Sequence, residues 1–170
     1  MRSVLAVHGL LPFPAGGGTP AIVVGAPYNE TMRILAVDPG GRRFGLALAD
    51  GASGVSVPLE VQPYHGLVDA ARRIAAMVAD HRAELVVIGL PTSANGDETA
   101  ACARSHALAR ELGTLGIAIV LQAEHLSSHE ARQRARSSGR RPDLPVDDLA
   151  AQVIAEDYLA GRPARKGEQC

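Results

Sequence analysis

Short apolar runs and helical stripes of apolar residues follow one another along residues 32–160. An apolar run of about four to eight residues between turn residues is typical of a buried strand. Apolar residues three and four positions apart are typical of the buried face of a helix. The runs predict strands at Ile34–Val37, Phe44–Ala49, Val55–Val61, Leu85–Ile88 and Ile117–Leu121. The stripes predict helices at Gly66–His81, from Asp97-Glu98 to about Leu112, at Ser127–Arg136, and from a cap at Asp147 or Asp148 to about Leu159.

These elements follow the order β-β-β-α-β-α-β-α-α. The short connections between the first three strands predict that they are antiparallel neighbours. The strand–helix–strand units that follow predict parallel strands with helices packed against them. The sequence therefore predicts a single α/β domain over residues 32–160. Its sheet would be mixed and five-stranded, with three antiparallel strands followed by βαβα and with helices on both faces.

The two ends of the chain differ in composition from this domain. Residues 1–31 hold four prolines, five glycines and only two charged residues, which predicts a disordered N-terminal extension or a start assigned too early. A signal peptide is the alternative, but His8 and several helix-breaking residues interrupt its apolar stretch. Residues 161–170 are polar and predict a flexible tail. No apolar run reaches the roughly 18 residues of a membrane-spanning helix, so we expect no membrane partner. Two cysteines, Cys102 and Cys170, are too few for a disulfide framework, which fits a reducing compartment, and we expect a cytoplasmic protein.

Three carboxylates occupy informative positions at the ends of the predicted elements. Asp38 ends the first strand, Glu124 lies just past the fifth, and Asp147 starts the last helix. If the strands of Asp38 and Glu124 are adjacent and parallel, their ends lie side by side, and a helix N-terminus packed nearby adds Asp147. Converging carboxylates repel one another, and a divalent cation relieves that repulsion. Each acid also has an ordinary interpretation, as a turn former, a loop acid or a helix cap, and the residues alone leave both open.

Four sequence blocks occur in an order that is specific for one family. They are VDPGGRRFGLALAD (Val37–Asp50), VVIGLPTSANGDE (Val86–Glu98), VLQAEHLSS (Val120–Ser128) and VDDLAAQVIAEDYL (Val146–Leu159). Together they resemble the YqgF (RuvX-type) family of Holliday-junction-resolvase-like proteins, which are also regarded as pre-16S ribosomal RNA nucleases. The turn in the first block is shared with actin-like kinases. An actin-like ATPase is disfavoured because one such turn is present and the chain is too short for a second lobe.

The resemblance implies a ribonuclease-H-like fold and a catalytic site that depends on Mg²⁺ or Mn²⁺. The residues that match the family's catalytic, metal-binding acids are Asp38, Glu124 and Asp147. The residues that match its turn after the first strand are Gly40, Arg43 and Gly45. The implied function is hydrolysis of phosphodiester bonds in maturation of the 5′ end of pre-16S rRNA. A Holliday-junction-resolvase-like DNA endonuclease is the alternative.

The chain departs from the family beside Glu124. Where the family usually shows Asp-Glu-Arg, this chain has Ala123-Glu124-His125. A neighbouring acid and an arginine are therefore missing, and a histidine is only partly charged near neutral pH. A third hypothesis stays open on this ground, namely a protein that binds structured nucleic acid but cleaves it weakly.

Basic residues are concentrated around these acids, although the formal net charge of the chain is −1. Residues 129–141 hold five arginines against one glutamate, a local charge of +4, and lie between Glu124 and Asp147. Arginine binds phosphate through paired hydrogen bonds, so a nucleic-acid clamp is one interpretation, and a solvated helix followed by a loop is the other. The predicted nucleic-acid contacts are Arg42, Arg43, Arg132, Arg136, Arg140 and Arg141.

The low aromatic content narrows the expected mode of binding. Aromatic residues make up 3% of the chain and tryptophan is absent, so base stacking is disfavoured as the main contact. Recognition of the backbone and of shape needs fewer aromatic side chains. We therefore expect structured nucleic acid, specifically pre-rRNA, as the partner, and the sequence leaves a homodimer open.

Overall fold

The apolar runs form strands and the apolar stripes form helices, because each buries its hydrophobic side against the others. The computed structural model describes residues 31–91, 102–124, 127–141 and 144–161. The strands are β1 (Arg33–Asp38), β2 (Arg43–Asp50), β3 (Ser56–Pro63), β4 (Leu85–Pro91) and β5 (Ile119–Glu124). The helices are α1 (Leu67–His81), α2 (Cys102–Thr114), α3 (Ser127–Ser137) and α4 (Asp147–Ala160).

The five strands form one mixed sheet with the order β3-β2-β1-β4-β5. The strands β1, β2 and β3 pair antiparallel, and β4 and β5 extend the sheet in parallel to β1. An antiparallel three-stranded meander extended by two parallel strands is the sheet of a ribonuclease-H-like fold. The predicted fold class is therefore confirmed.

One expectation about strand neighbours is wrong. The edges of β1 are occupied by β2 and β4, so β5 pairs along the outer edge of β4 and is not adjacent to β1. Val37, Ile88 and Leu121 are level with one another in this register. Asp38 and Glu124 therefore both lie at the edge of the sheet where the parallel strands end. Their strands, β1 and β5, are separated by β4.

Helices cover both faces of the sheet, as predicted. On one face, α1 and α2 contribute Ile74, Leu108 and Leu112 to a core with Leu35 and Ile88 of the sheet. On the other face, α4 contributes Ala151, Ile154 and Ala155 to a second core with Ile34 and Val87. The apolar side chains of β1 alternate between these two cores, as the two-residue period of a strand requires.

Several predictions concern residues that the structure does not describe. They are those for residues 1–30, the start of the second helix at Asp97-Glu98, His125, and the tail beyond Gly161. Among the residues described, no helix is both long and apolar enough to cross a membrane.

Candidate active site

The turn between β1 and β2 presents Asp38 at the edge of the sheet where the parallel strands end. The four residues before it are buried, and Asp38 is the first half-buried position of the strand. The Gly40 N–H donates to the Asp38 carbonyl oxygen at 3.0 Å. A Cβ on Gly40 would lie 2.6 Å from the Arg43 carbonyl oxygen, so the turn closes this tightly because a glycine stands there. The strand and turn thus hold the Asp38 backbone in a defined place.

Gly45 brings the start of α4 against this turn. It lies directly opposite Asp38 in the β1–β2 pairing. A Cβ on Gly45 would lie 1.9 Å from the carbonyl oxygen of Asp147 and 2.0 Å from its carbonyl carbon. The backbone of α4 therefore rests directly on β2 at the position paired with Asp38, and Asp147 lies beside Asp38 as a consequence.

The Asp147 carboxylate lies over the turn and is held there by Arg43. The Arg43 Nε donates to Asp147 Oδ2 at 2.8 Å. The other oxygen, Oδ1, is 3.4 Å from the place that a Cβ on Gly40 would occupy. Arg43 is about half exposed and Asp147 is mostly buried, so this ion pair is only partly screened by solvent. The structure therefore gives Arg43 a carboxylate partner within the site.

The prediction that Asp147 or Asp148 caps the last helix is wrong. The N-cap is Val146, which makes no side-chain capping hydrogen bond, and both aspartates lie in the first turn of α4. Negative charge at this position still interacts favourably with the N-terminal end of the helix dipole. The two carboxylates diverge, one towards the β1–β2 turn and the other into the protein.

Asp148 forms a largely buried ion pair with Arg140. Asp148 is 6% exposed, and the Arg140 Nη1 lies 3.0 Å from each of its carboxylate oxygens. Because this guanidinium neutralises a buried acid, Arg140 holds the connection between α3 and α4 next to Asp147. Its predicted contact with nucleic acid remains a prediction, and the structure gives it an internal partner.

The other predicted nucleic-acid contacts are exposed. Ala131 and Ala135 of α3 pack on Leu149 and Ala150, so α3 lies directly on the first turns of α4. The exposed arginines near the candidate acids are Arg42, Arg43, Arg132, Arg136 and Arg141. Arg132 and Arg136 are thus exposed on a helix that packs on the end of α4 that carries Asp147.

Arg134, the remaining arginine of the basic segment, serves to attach α3 to α4. Its Nη2 donates to Glu156 Oε2 at 2.6 Å, and Ser56 Oγ donates to Glu156 Oε1 at 2.7 Å. Burial opposes ionisation of Glu156, but hydrogen bonds from Arg134, Ser56 and Gln152 outweigh it and lower the pKa of Glu156 below 4.5. The charged form of Glu156 is therefore favoured by folding.

Arg104 of α2 also reaches the turn, and the sequence analysis missed it. Its Nη1 donates to the Pro39 carbonyl oxygen at 3.2 Å. Its Nη2 is 3.8 Å from the place that a Cβ on Gly41 would occupy. In the sequence, Arg104 stands between Cys102 and Ser105, which are both buried. The sequence could have indicated that Arg104 lies at the border of a buried helical face. It could not have indicated that Arg104 contacts the turn after β1.

The acids at this edge fit an oxygen-liganded cation. Among the residues described, no group of three or more histidine, cysteine, aspartate or glutamate side chains forms a metal site. Asp147 lies over the turn that follows Asp38, and β5 ends at Glu124, opposite Pro91 of β4, at the same edge. Carboxylate oxygens are the donors that Mg²⁺ prefers, and Asp147 Oδ1 is directed over the turn that follows Asp38. The donor chemistry therefore suits Mg²⁺ or Mn²⁺.

A family model and many curated proteins match this chain. The model for RuvX, described as Holliday junction resolvase, matches residues 32–161. A protein of Anaeromyxobacter sp. is 36% identical over 137 residues, which are 78% of this chain and 100% of that protein. A protein of Alcanivorax borkumensis is 33% identical over 129 residues, which are 75% and 96% of the two chains. Both carry the name "Putative pre-16S rRNA nuclease".

Two solved resolvase structures are also similar to part of this chain. Thermus thermophilus RuvC in complex with a Holliday junction substrate has 15% sequence identity and a TM-score of 0.48, over 76% of this chain and 95% of that one. The yeast mitochondrial Holliday junction resolvase Ydc2 has 11% identity and a TM-score of 0.49, over 79% and 80% of the two chains.

Proposed function

This chain belongs to the RuvX family, and we propose on that basis that it is a metal-dependent nuclease that hydrolyses phosphodiester bonds in structured nucleic acid. The observation that carries the proposal is the contact of α4 with Gly45, which sets Asp147 beside Asp38 at the edge of the sheet. The two acids lie closer together in the fold than the separate roles of a turn former and a helix cap would require. They support a shared role in holding a cation.

The site would consist of three acids that bind the cation and one arginine that orients one of them. Asp38, Asp147 and Glu124 would hold Mg²⁺ or Mn²⁺. When bound, the cation supplies positive charge against the phosphate oxygens and makes a water molecule more acidic. Arg43 fixes the orientation of the Asp147 carboxylate by donating to Oδ2, and this leaves Oδ1 directed over the turn.

The exposed arginines around the site would bind the phosphate backbone. Arg132 and Arg136 are one helical turn apart and exposed on α3, which packs on the start of α4. Arg42 and Arg141 are exposed as well. Contacts of this kind position a nucleic acid without reading its bases, and they fit a chain with few aromatic residues.

The names of the relatives favour pre-16S rRNA as the substrate. The family resemblance implies that this chain would act at the 5′ end of that RNA. The description of the family model favours a second candidate, a branched DNA junction. Either substrate would be bound by the same acids and the same arginines. The two substrates would therefore be distinguished by their shape.

One cleavage assay tests the proposal and separates the two substrates. An end-labelled RNA that spans the 5′ leader and the first residues of 16S rRNA is compared with a labelled four-way DNA junction, with Mg²⁺, with Mn²⁺ and with EDTA. We expect metal-dependent cleavage of the RNA. In Asp38→Asn it should fall about 10³-fold, since the cation contributes several kcal/mol to transition-state stabilisation. The matched control is Asp80→Asn, which removes an exposed carboxylate of α1.

Each other outcome changes the conclusion in a defined way. Cleavage of the junction but not of the RNA would make the chain a DNA resolvase. Tight binding of either substrate without metal-dependent cleavage would make it a binding protein, as the Ala123-Glu124-His125 departure allows. Equal activity in Asp38→Asn and Asp80→Asn would remove Asp38 from the catalytic site.

A further inference from the structure

The turn between β1 and β2 is held from both faces of the sheet. On the face covered by α4, Arg43 of the turn pairs with Asp147. On the face covered by α2, Arg104 donates to the Pro39 carbonyl oxygen at 3.2 Å. The guanidinium of Arg104 lies against Gly41, 3.8 Å from the position of a Cβ there. A charged group from α2 therefore lies against the residues that follow Asp38, on the face of the sheet that α4 does not cover.

Arg104 differs from the other half-buried arginines in its bonding partners. In the described part of the chain, three half-buried arginines each bind a carboxylate, in the pairs Arg73–Asp69, Arg134–Glu156 and Arg140–Asp148. Arg104 is also half-buried, but it has no acidic partner there, and its hydrogen bond goes to a neutral carbonyl. A guanidinium has five N–H donors, so most of those of Arg104 remain available. Partial burial of a charge is favourable only when the charge is paired, so an anion bound to Arg104 would stabilise it.

The backbone beside Arg104 is open to such an anion. Gly41 is exposed, and among the described residues other than its chain neighbours only Arg104 has an atom, Nη2, within 4 Å of its Cβ position. A side chain on residue 41 would occupy this space, whereas glycine lets a ligand approach the main chain closely. The planar fork of an arginine matches two oxygens of a phosphate.

We propose that Arg104 and the Gly41 main chain form a binding site for one phosphate of the nucleic-acid backbone, next to the acids at the end of β1. The site takes a phosphodiester on the α2 side of the turn, opposite the arginines of α3. A substrate strand is then held on both sides of Asp38. This inference rests on the proposed function in that the ligand is a nucleic acid, but it does not depend on cleavage.

The test is the salt dependence of binding, measured without metal. The labelled leader RNA described above is titrated in EDTA at several salt concentrations, with the full chain and its variants. Each phosphate neutralised contributes about 0.7–0.9 to the slope of log K against log salt concentration. Arg104→Gln should therefore weaken binding about tenfold at low salt and reduce the slope by about 0.7–0.9. Arg104→Lys, which keeps the charge, should retain most of the slope.

Arg110→Gln is the matched control, because Arg110 lies on the same helix and is exposed. It should change affinity less than about twofold and leave the slope unchanged. An equal loss in Arg104→Gln and Arg110→Gln would overturn the proposal, since general charge would explain both. Slower cleavage by Arg104→Gln with an unchanged slope would also overturn it and leave Arg104 as a support for the turn. If the wild-type chain bound neither the RNA nor the DNA junction, the proposed function would fail with it.

Discussion

A side chain at position 45 is expected to disturb α4, because the backbone of Gly45 lies directly against the backbone of Asp147 and Asp148. Gly45→Ala would place a Cβ 1.9 Å from the Asp147 carbonyl oxygen and 2.5 Å from the Asp148 nitrogen. Neither atom belongs to a side chain, so no change of rotamer relieves the clash. Either β2 or the first turn of α4 has to move.

The size of the effect follows from that geometry. Ordinary contact begins at 3.4 Å, so the start of α4 would have to retreat from β2 by about 1.5 Å. Overpacking costs about 1–3 kcal/mol, and the upper end applies because backbone must shift, so we expect a loss of about 3 kcal/mol. That is a large share of the roughly 5–15 kcal/mol by which domains are stable. A misplacement of about 1 Å at a reacting centre costs about 10²-fold in rate, so cleavage should fall at least that far.

Urea unfolding and the leader-RNA cleavage assay measure the two effects. Gly113→Ala is the control, because a Cβ on this glycine of α2 would meet, among the described residues outside its own helix, only Ile119 Cδ1 at 4.0 Å. Alanine is the better helix former there, so this variant should gain up to about 1 kcal/mol and keep its activity. If Gly45→Ala kept both its cleavage rate and an unfolding free energy within about 0.5 kcal/mol of wild type, the argument that Gly45 positions Asp147 would be refuted.

Two further predictions concern the ion pairs that attach α3 to α4. Because folding lowers the pKa of Glu156 below 4.5, its ionised form contributes stability that is present above about pH 4.5 and is lost as the pH falls below it. Glu156→Gln should therefore flatten the acid side of a plot of unfolding free energy against pH, and parallel wild-type and variant plots would contradict this. Arg140→Ala leaves the buried Asp148 without its counter-ion and should cost about 3 kcal/mol in urea unfolding. Asp148→Asn in the same chain should recover part of that loss, and additive losses would show that the two side chains do not interact.

The sequence predicts some features of the site and not others. The apolar run Ile34–Val37 identifies β1 and places Asp38 at its end, because a buried strand has to stop where a charged residue cannot be desolvated. The family resemblance supplies the roles of Asp38, Glu124 and Asp147, which remain proposals. Hydrophobic periodicity does not distinguish Asp147 from Asp148, and yet one faces the turn while the other is buried and paired with Arg140.

The sequence alone determines which segments are strands and helices, since hydrophobic periodicity records which side of each segment is buried. It also determines the order of the motifs that identify the family. The tertiary structure decides which strand occupies each edge, and it places β4 between β1 and β5. It also decides which charges meet, as when Arg43 pairs with Asp147 across 104 positions and Arg104 reaches Pro39 across 65. Periodicity cannot predict these pairings, because they depend on how whole elements pack against one another in three dimensions.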